Sequence, residues 1–260
     1  MYRMIDWIDG DASHLLGYDY WNDEDKERTK HWNVIDKGFK EQENVLEDLG
    51  ISEELDKLIA YSNLAIDPGK TKGLVGLELA AGNCWSAPIL FSKLELATMM
   101  FLDFSEHRIF KLAPYVLNHY KIPSEKVELI RGDFYNLKLD DECVDFVLLA
   151  QAFHHAENPN ELLKEIKRIL KPNGKVLIVG EPKVSFKLRF SFTKQYIKNS
   201  LQNKRIELRD LFPYIVFEKN DILGDIVYDD RGYRYFFRLA GFHYKKKRIN
   251  NNDRCYLLTK

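Results

Sequence analysis

From Leu74 to Leu258 the chain alternates short apolar runs with stretches whose apolar residues recur every three or four positions. The runs from Leu74 to Leu79, Leu94 to Asp103, Val144 to Ala150 and Val176 to Val179 are nearly continuous, as in buried strands, and Lys126 to Ile130 reads as a further strand. Between them the spacing predicts helices. One starts at about Ser86, with Pro88 in its first turn. The next follows Ser105 and presents Ile109, Leu112, Val116 and Leu117, and Pro114 is expected to kink or shorten it. A third opens on Asn158-Pro159-Asn160-Glu161, a cap, a first-turn proline and an acid at the third helical position. It presents Leu162, Leu163, Ile166, Ile169 and Leu170 and is expected to stop at Lys171-Pro172-Asn173-Gly174. Such alternation implies a parallel sheet with right-handed crossovers.

The flanks keep a different rhythm. From Trp32 to Leu49, and again at Leu55, Leu58 and Ile59, the spacing predicts two N-terminal helices, and Pro68-Gly69 separates them from the first strand. Residues 183–230 break the alternation, and Phe186 to Phe192 fits helix and strand equally. Beyond it, Asp230 can cap a helix carrying Tyr233, Phe236, Phe237 and Ala240, closed by Gly241. Strands from about His243 to Ile249 and Arg254 to Leu258 then bracket the turn-forming Asn250-Asn251-Asn252-Asp253.

Composition narrows the class. A chain of 260 residues with 45% hydrophobic content can build one large α/β domain with additions. A net charge of −1 gives no overall pull toward nucleic acid or an anionic membrane. The three cysteines, Cys84, Cys143 and Cys255, form no CxxC pair, so neither a disulfide framework nor a zinc site is expected. No apolar run approaches a membrane span, and the expected compartment is the cytoplasm.

The candidate chemistry lies at the C-terminal ends of the runs. The first strand reaches Glu78, turns through Ala80-Ala81-Gly82-Asn83-Cys84 and enters a helix, the shape of a nucleotide site. A dinucleotide fingerprint would place three glycines there, but the matching positions hold Ala80, Gly82 and Trp85. Glu78 would repel a pyrophosphate and suits a ligand bearing an ammonium and a sulfonium. Asp103 ends the second strand 21 residues past Gly82, where an acid can accept from both ribose hydroxyls.

The run Leu77-Glu78-Leu79-Ala80-Ala81-Gly82-Asn83-Cys84 resembles the first motif of class I S-adenosylmethionine-dependent methyltransferases, with Ala80 and Cys84 in place of the outer glycines. Asp133-Phe134 after the third strand matches that family's acid-plus-apolar pair for the adenine. The stretch from Phe146 to Pro159, with its paired His154-His155, resembles the post-strand-four motif of the small-molecule members. The resemblance implies a Rossmann-like, doubly wound, seven-stranded and mostly parallel α/β sheet with one antiparallel strand, plus an N-terminal helical lid. It implies S-adenosyl-L-methionine as cofactor, with Glu78, Ala80, Gly82, Asn83, Asp103, Phe104, Asp133, Phe134 and Gln151 around it, and no metal. Residues 1–69 would form the lid or extension. Residues 70–260 would form the methyltransferase domain, with a substrate-cap insertion at about 183–230.

The expected reaction is in-line methyl transfer to a small-molecule acceptor, with no nucleic-acid or membrane partner. His154 and His155 are the candidate general bases, although histidines at such a position also serve as hydrogen-bonded scaffolding. The N-terminal aromatics Tyr18, Tyr20, Trp21 and Trp32 fit either a lid or a loop with a solvated helix start. The basic stretch with Lys194, Lys198 and Arg205 fits either a solvated face or a surface for an anionic acceptor. An NAD-dependent oxidoreductase and a catalytically silent cofactor-binding module are the competing readings.

Overall fold

The computed structural model describes residues 1–8, 18, 34–64, 73–182, 228, 230–249 and 252–260. The expectations for Tyr20, Trp21, Trp32 and the basic stretch within 183–227 lie outside these residues. The strands are β1 (Arg3–Asp6), β2 (Leu74–Leu79), β3 (Leu96–Asp103), β4 (Val127–Arg131), β5 (Val144–Ala150), β6 (Leu170–Val179), β7 (His243–Ile249) and β8 (Asn252–Thr259). They form one sheet in the order β1-β4-β3-β2-β5-β6-β8-β7. Pairing is parallel from β1 to β6, and β8 runs antiparallel to both neighbours, so it alone opposes the other seven.

Among the described residues the sheet therefore has eight strands rather than the expected seven. The addition is β1, which pairs with β4 in register from Arg3↔Glu128 to Asp6↔Arg131. Its four residues are too few, and too mixed with charge, for a periodic signal. An Arg131 to Asp6 ion pair of 3.0 Å fastens its end.

Helices cover both faces. One layer packs Ile51, Leu55, Leu58 and Ile59 of α3 (Ile51–Ser62) with Leu90 of α4 (Ala87–Lys93) and Leu117 of α5 (Ala113–His119). The other packs Leu162, Leu163, Ile166 and Ile169 of α6 (Pro159–Ile169) with Tyr233 and Phe237 of α7 (Asp230–Leu239). Along β5 the alternation divides the core, with Phe146 and Leu148 facing the first layer and Val147 and Leu149 the second. Upstream of α3, the short α1 (Val34–Lys37) and α2 (Phe39–Asp48) are separated by Gly38 at φ 83°, so the first predicted N-terminal helix is broken in two.

Two further departures have local causes. The turn before α5, His107–Leu112, is a π-helix; its wider winding accommodates Pro114, whose ring cannot sit on a regular preceding turn. Helix α6 ends at Ile169 and passes directly into β6, before the predicted stop at Lys171 to Gly174. Those four residues belong to the strand, where a register shift lets Leu170 pair with Val144 and Lys175 with Phe146. No helix among the described residues is long and apolar enough to cross a membrane.

Candidate functional site

Strands β4, β3, β2, β5 and β6 point their C-terminal ends to one edge, where the loops after them meet. The loop after β2 is built on left-handed backbone: Ala80 has φ 52°, Gly82 56° and Cys84 63°. Ala80 and Cys84, the two departures from the glycine motif, adopt the conformation that glycine would supply. A side chain at Gly82 would meet the Arg108 guanidinium at 2.9 Å.

The two acids close on this loop. Asp103 accepts from Gly82 N at 2.7 Å and from Ser105 N at 2.8 Å, joining the tip of β3 to the turn after β2. Glu78 is buried and accepts from the Ser86 hydroxyl at the start of α4. Loss of water pushes the Glu78 carboxyl up to about 8. The Ser86 hydrogen bond opposes that rise and the nearby Asp103 charge adds to it. Glu78 and Asp103 thus flank the same loop, close enough for their charges to interact.

The other predicted residues fall around the same edge. Asn83 is buried and donates to Gln42 of α2 at 3.0 Å, which docks an N-terminal helix on the loop. Phe104 stacks on Tyr18, ring centroids 6.1 Å apart and 24° between planes, so the N-terminal segment reaches the tip of β3. After β4, Asp133 accepts from Tyr135 N at 2.9 Å, and Phe134 is buried edge-on to Tyr135 at 4.7 Å. Gln151, after β5, has φ 53° and donates its backbone N–H to Val179 O at 2.9 Å.

One residue that motif reading leaves aside organises the β5 side. Glu181, just past β6, is buried and accepts from the backbone N–H groups of Ala152, Phe153 and His154 at 3.0 to 3.1 Å. The same carboxylate lies 3.0 Å from His154 Nδ1. His154 is buried, with its ring centroid 4.2 Å from that of His155. Tyr233 of α7 donates to Pro182 O at 3.0 Å, and its hydroxyl lies 3.4 Å from Glu181. Burial first, and then the Glu181 charge, push the Tyr233 phenol well above its ordinary range. A signal for Glu181 was present: like Glu78 and Asp103, it is an acid at the end of an apolar strand. Glu54 of α3, buried and accepting from Gly180 N at 3.1 Å, carried no such signal within an amphipathic helix.

Residues 77–178 match the family described as methyltransferase domain. The segment that carries the loops after β2, β3, β4 and β5 is thus similar to a methyltransferase domain. Over 108 residues, 41% of this chain and 42% of the other, it is 29% identical to a demethylmenaquinone methyltransferase of Staphylococcus epidermidis. Over 98 residues, 38% of this chain and 34% of the other, it is 33% identical to a phthiotriol/phenolphthiotriol dimycocerosates methyltransferase of Mycobacterium tuberculosis. The matched segments span less than half of these curated relatives. A SAM-dependent methyltransferase from Leishmania major superposes with a TM-score of 0.57 over 93% of this chain and 80% of its own, at 16% identity, a likeness of fold.

Proposed function

We propose that this methyltransferase domain uses S-adenosyl-L-methionine to methylate a small-molecule acceptor. The observation that carries the reading is the convergence of Glu78 and Asp103 on the left-handed loop between them. The donor set fits the cofactor. A buried carboxyl on one strand suits an ammonium, a carboxylate on the next suits a sugar diol, and the opposite charge of the ligand would relieve the repulsion between the two acids. Bound there, the cofactor would supply a methyl group activated on a sulfonium, and an acceptor attacking that carbon in line would displace the neutral thioether.

The chain's own work is to bind, align and exclude water. Glu78 holds the methionine end, Asp103 the ribose, and Asp133 with Phe134 the adenine. Ala80, Gly82 and Asn83 shape the floor, Phe104 flanks the sugar, and Gln151 lies beside the sulfonium. Residues 1–69 act as a lid; the Tyr18 to Phe104 stack and the Gln42 to Asn83 hydrogen bond support that role. Residues 183–230 act as the substrate cap, with a cytoplasmic setting for the whole. These two curated relatives are named for organic acceptors, demethylmenaquinone and phthiotriol or phenolphthiotriol dimycocerosates, which supports an organic acceptor here.

Calorimetric titration with S-adenosylmethionine and with NAD(H) tests the reading. Binding of the former and not the latter is expected. Asp103→Ala should raise the dissociation constant well over tenfold, as for loss of a charge-assisted bidentate contact. Unchanged affinity in that variant would remove the assignment.

A further inference from the structure

We propose that the chain has a second ligand site, for a small organic phosphate in solution, in the cavity of about 600 Å³ bounded by the end of α3, the last turn of α7 and the start of β7. The site stands apart from the methyl-transfer reading, because none of its described lining residues belongs to the loop that Glu78 and Asp103 flank.

The floor follows from the strand register. Lys175 of β6 pairs with Thr259 of β8, which pairs with His243 of β7, so the three form one row across adjacent strands. Leu257, two residues from Thr259 and so on the same face, pairs with Lys245 and packs in the layer that contains α3. Tyr61 at the end of α3 and Arg238, Phe242 and Tyr244 complete the walls. Lys175 lies four residues before Val179, about 13 Å back along β6 from the end that leads to Glu181.

Charge decides the ligand. Lys175, Arg238 and Lys245 line the cavity, and no carboxylate is among its described lining residues. None of the three has an ion-pair partner among the described residues, whereas lysines just outside are paired: Lys171 with Asp145 at 2.8 Å, Lys246 with Asp230 at 2.7 Å and Lys260 with Glu142 at 2.8 Å. Arg238 sits 5.7 Å from the centroid of the Tyr244 ring, which holds the guanidinium beside the cavity. Like charges around one space repel, and a dianion between them removes that cost. Phe242 and Leu257, both buried, add an apolar surface for an organic body.

Two purely structural roles account for less. Cations on an edge strand discourage pairing with another chain, but Lys175 lies in β6, which has strands on both sides, and Arg238 lies in a helix. Cations at a helix C-terminus satisfy its carbonyls, but the Ser62 hydroxyl already donates to Ile59 O at 2.6 Å and accepts from Leu64 N at 3.2 Å.

The test titrates the full chain, without cofactor, with phenyl phosphate in a low-salt buffer free of phosphate, followed by calorimetry and amide NMR. Phenyl phosphate should bind roughly tenfold more tightly than inorganic phosphate through burial of its ring. Binding should shift the Lys175 and Thr259 amide resonances and weaken as salt is added. Lys175→Gln, Arg238→Gln and Lys245→Gln should each weaken it roughly tenfold, as for loss of a charge-assisted hydrogen bond. Lys164→Gln, a charge-matched change at an exposed position of α6, should leave it unchanged.

No binding of phenyl phosphate, shifts centred on Gly82 instead, or an equal loss in Lys164→Gln overturns the proposal, and the wild-type shifts decide even if a variant fails to fold. Co-sedimentation with vesicles of phosphatidylcholine and phosphatidic acid distinguishes a lipid headgroup from a soluble ligand. Capture that depends on the three cations, without binding of phenyl phosphate, also overturns it. Titration with S-adenosylmethionine is read separately: its failure defeats the proposed function and leaves this site standing.

Discussion

Ala80 and Cys84 show how far single residues can be read as letters. Both stand where the family motif has glycine, and both hold the backbone in the left-handed region, at φ 52° and 63°. A left-handed non-glycine residue costs about 1–2 kcal/mol, part of which glycine would lose again through the greater freedom of its unfolded chain. Ala80→Gly should therefore stabilise the protein by a net 0.5–1 kcal/mol, roughly, in urea unfolding, an unusual direction for an alanine-to-glycine change. Glu78 makes the second prediction at this scale. Its carboxyl holds a proton up to about 8 in the folded, ligand-free protein, whereas the unfolded group ionises near 4.5. Between those values the unfolded state binds fewer protons, so stability falls as pH rises from about 5 to about 8 and levels above it. Thermal midpoints across that range should show the decline, and Glu78→Gln should flatten it. Cofactor affinity should rise over the same interval, because an ammonium partner favours the ionised acid. Strand-end acids were legible in the sequence. The dihedral angles of Ala80 and Cys84 were not, since nothing in the side chains announces a strained backbone.

At the scale of elements, the strand and helix alternation carried the central fold because the central strands are mostly apolar and the helices between them show one apolar face. What failed to show were contacts made by polar residues inside such faces. Glu54 sits on the buried side of α3 among Ile51, Leu55 and Leu58 and binds Gly180 N. Glu54→Ala should strand that amide without an acceptor and cost about 1–3 kcal/mol. Glu53→Ala, which removes an exposed pair with Lys57, should cost under about 0.5 kcal/mol. Parallel denaturation curves of the two variants would check the contrast. Helix ends were less legible than helix faces. The Asn158 cap on α6 is present, its side chain accepting from Glu161 N at 3.4 Å. Its far end, however, was masked by Pro172 and Gly174, residues that usually stop a helix but here belong to the strand that follows it directly.

Across the whole molecule, β8 is the piece on which two neighbours depend. Cys255, Tyr256, Leu257 and Leu258 are buried, and the strand bonds to β6 on one side and β7 on the other. A chain ending at residue 250 would expose the β6 edge and detach β7. It should show no cooperative transition in a thermal melt followed by circular dichroism. The terminal hairpin was legible from the apolar run at Cys255 to Leu258 and the asparagine-rich turn before it. β1 was not, being too short for any period to register. The link from Glu54 to Gly180 has one more consequence, a mechanical one. Gly180 immediately precedes Glu181, so a helix outside the matched segment is bolted one peptide unit away from the group that grips the imidazole. Tension on that helix, from a neighbouring macromolecule or an engineered crosslink, would be delivered to the ring almost undamped.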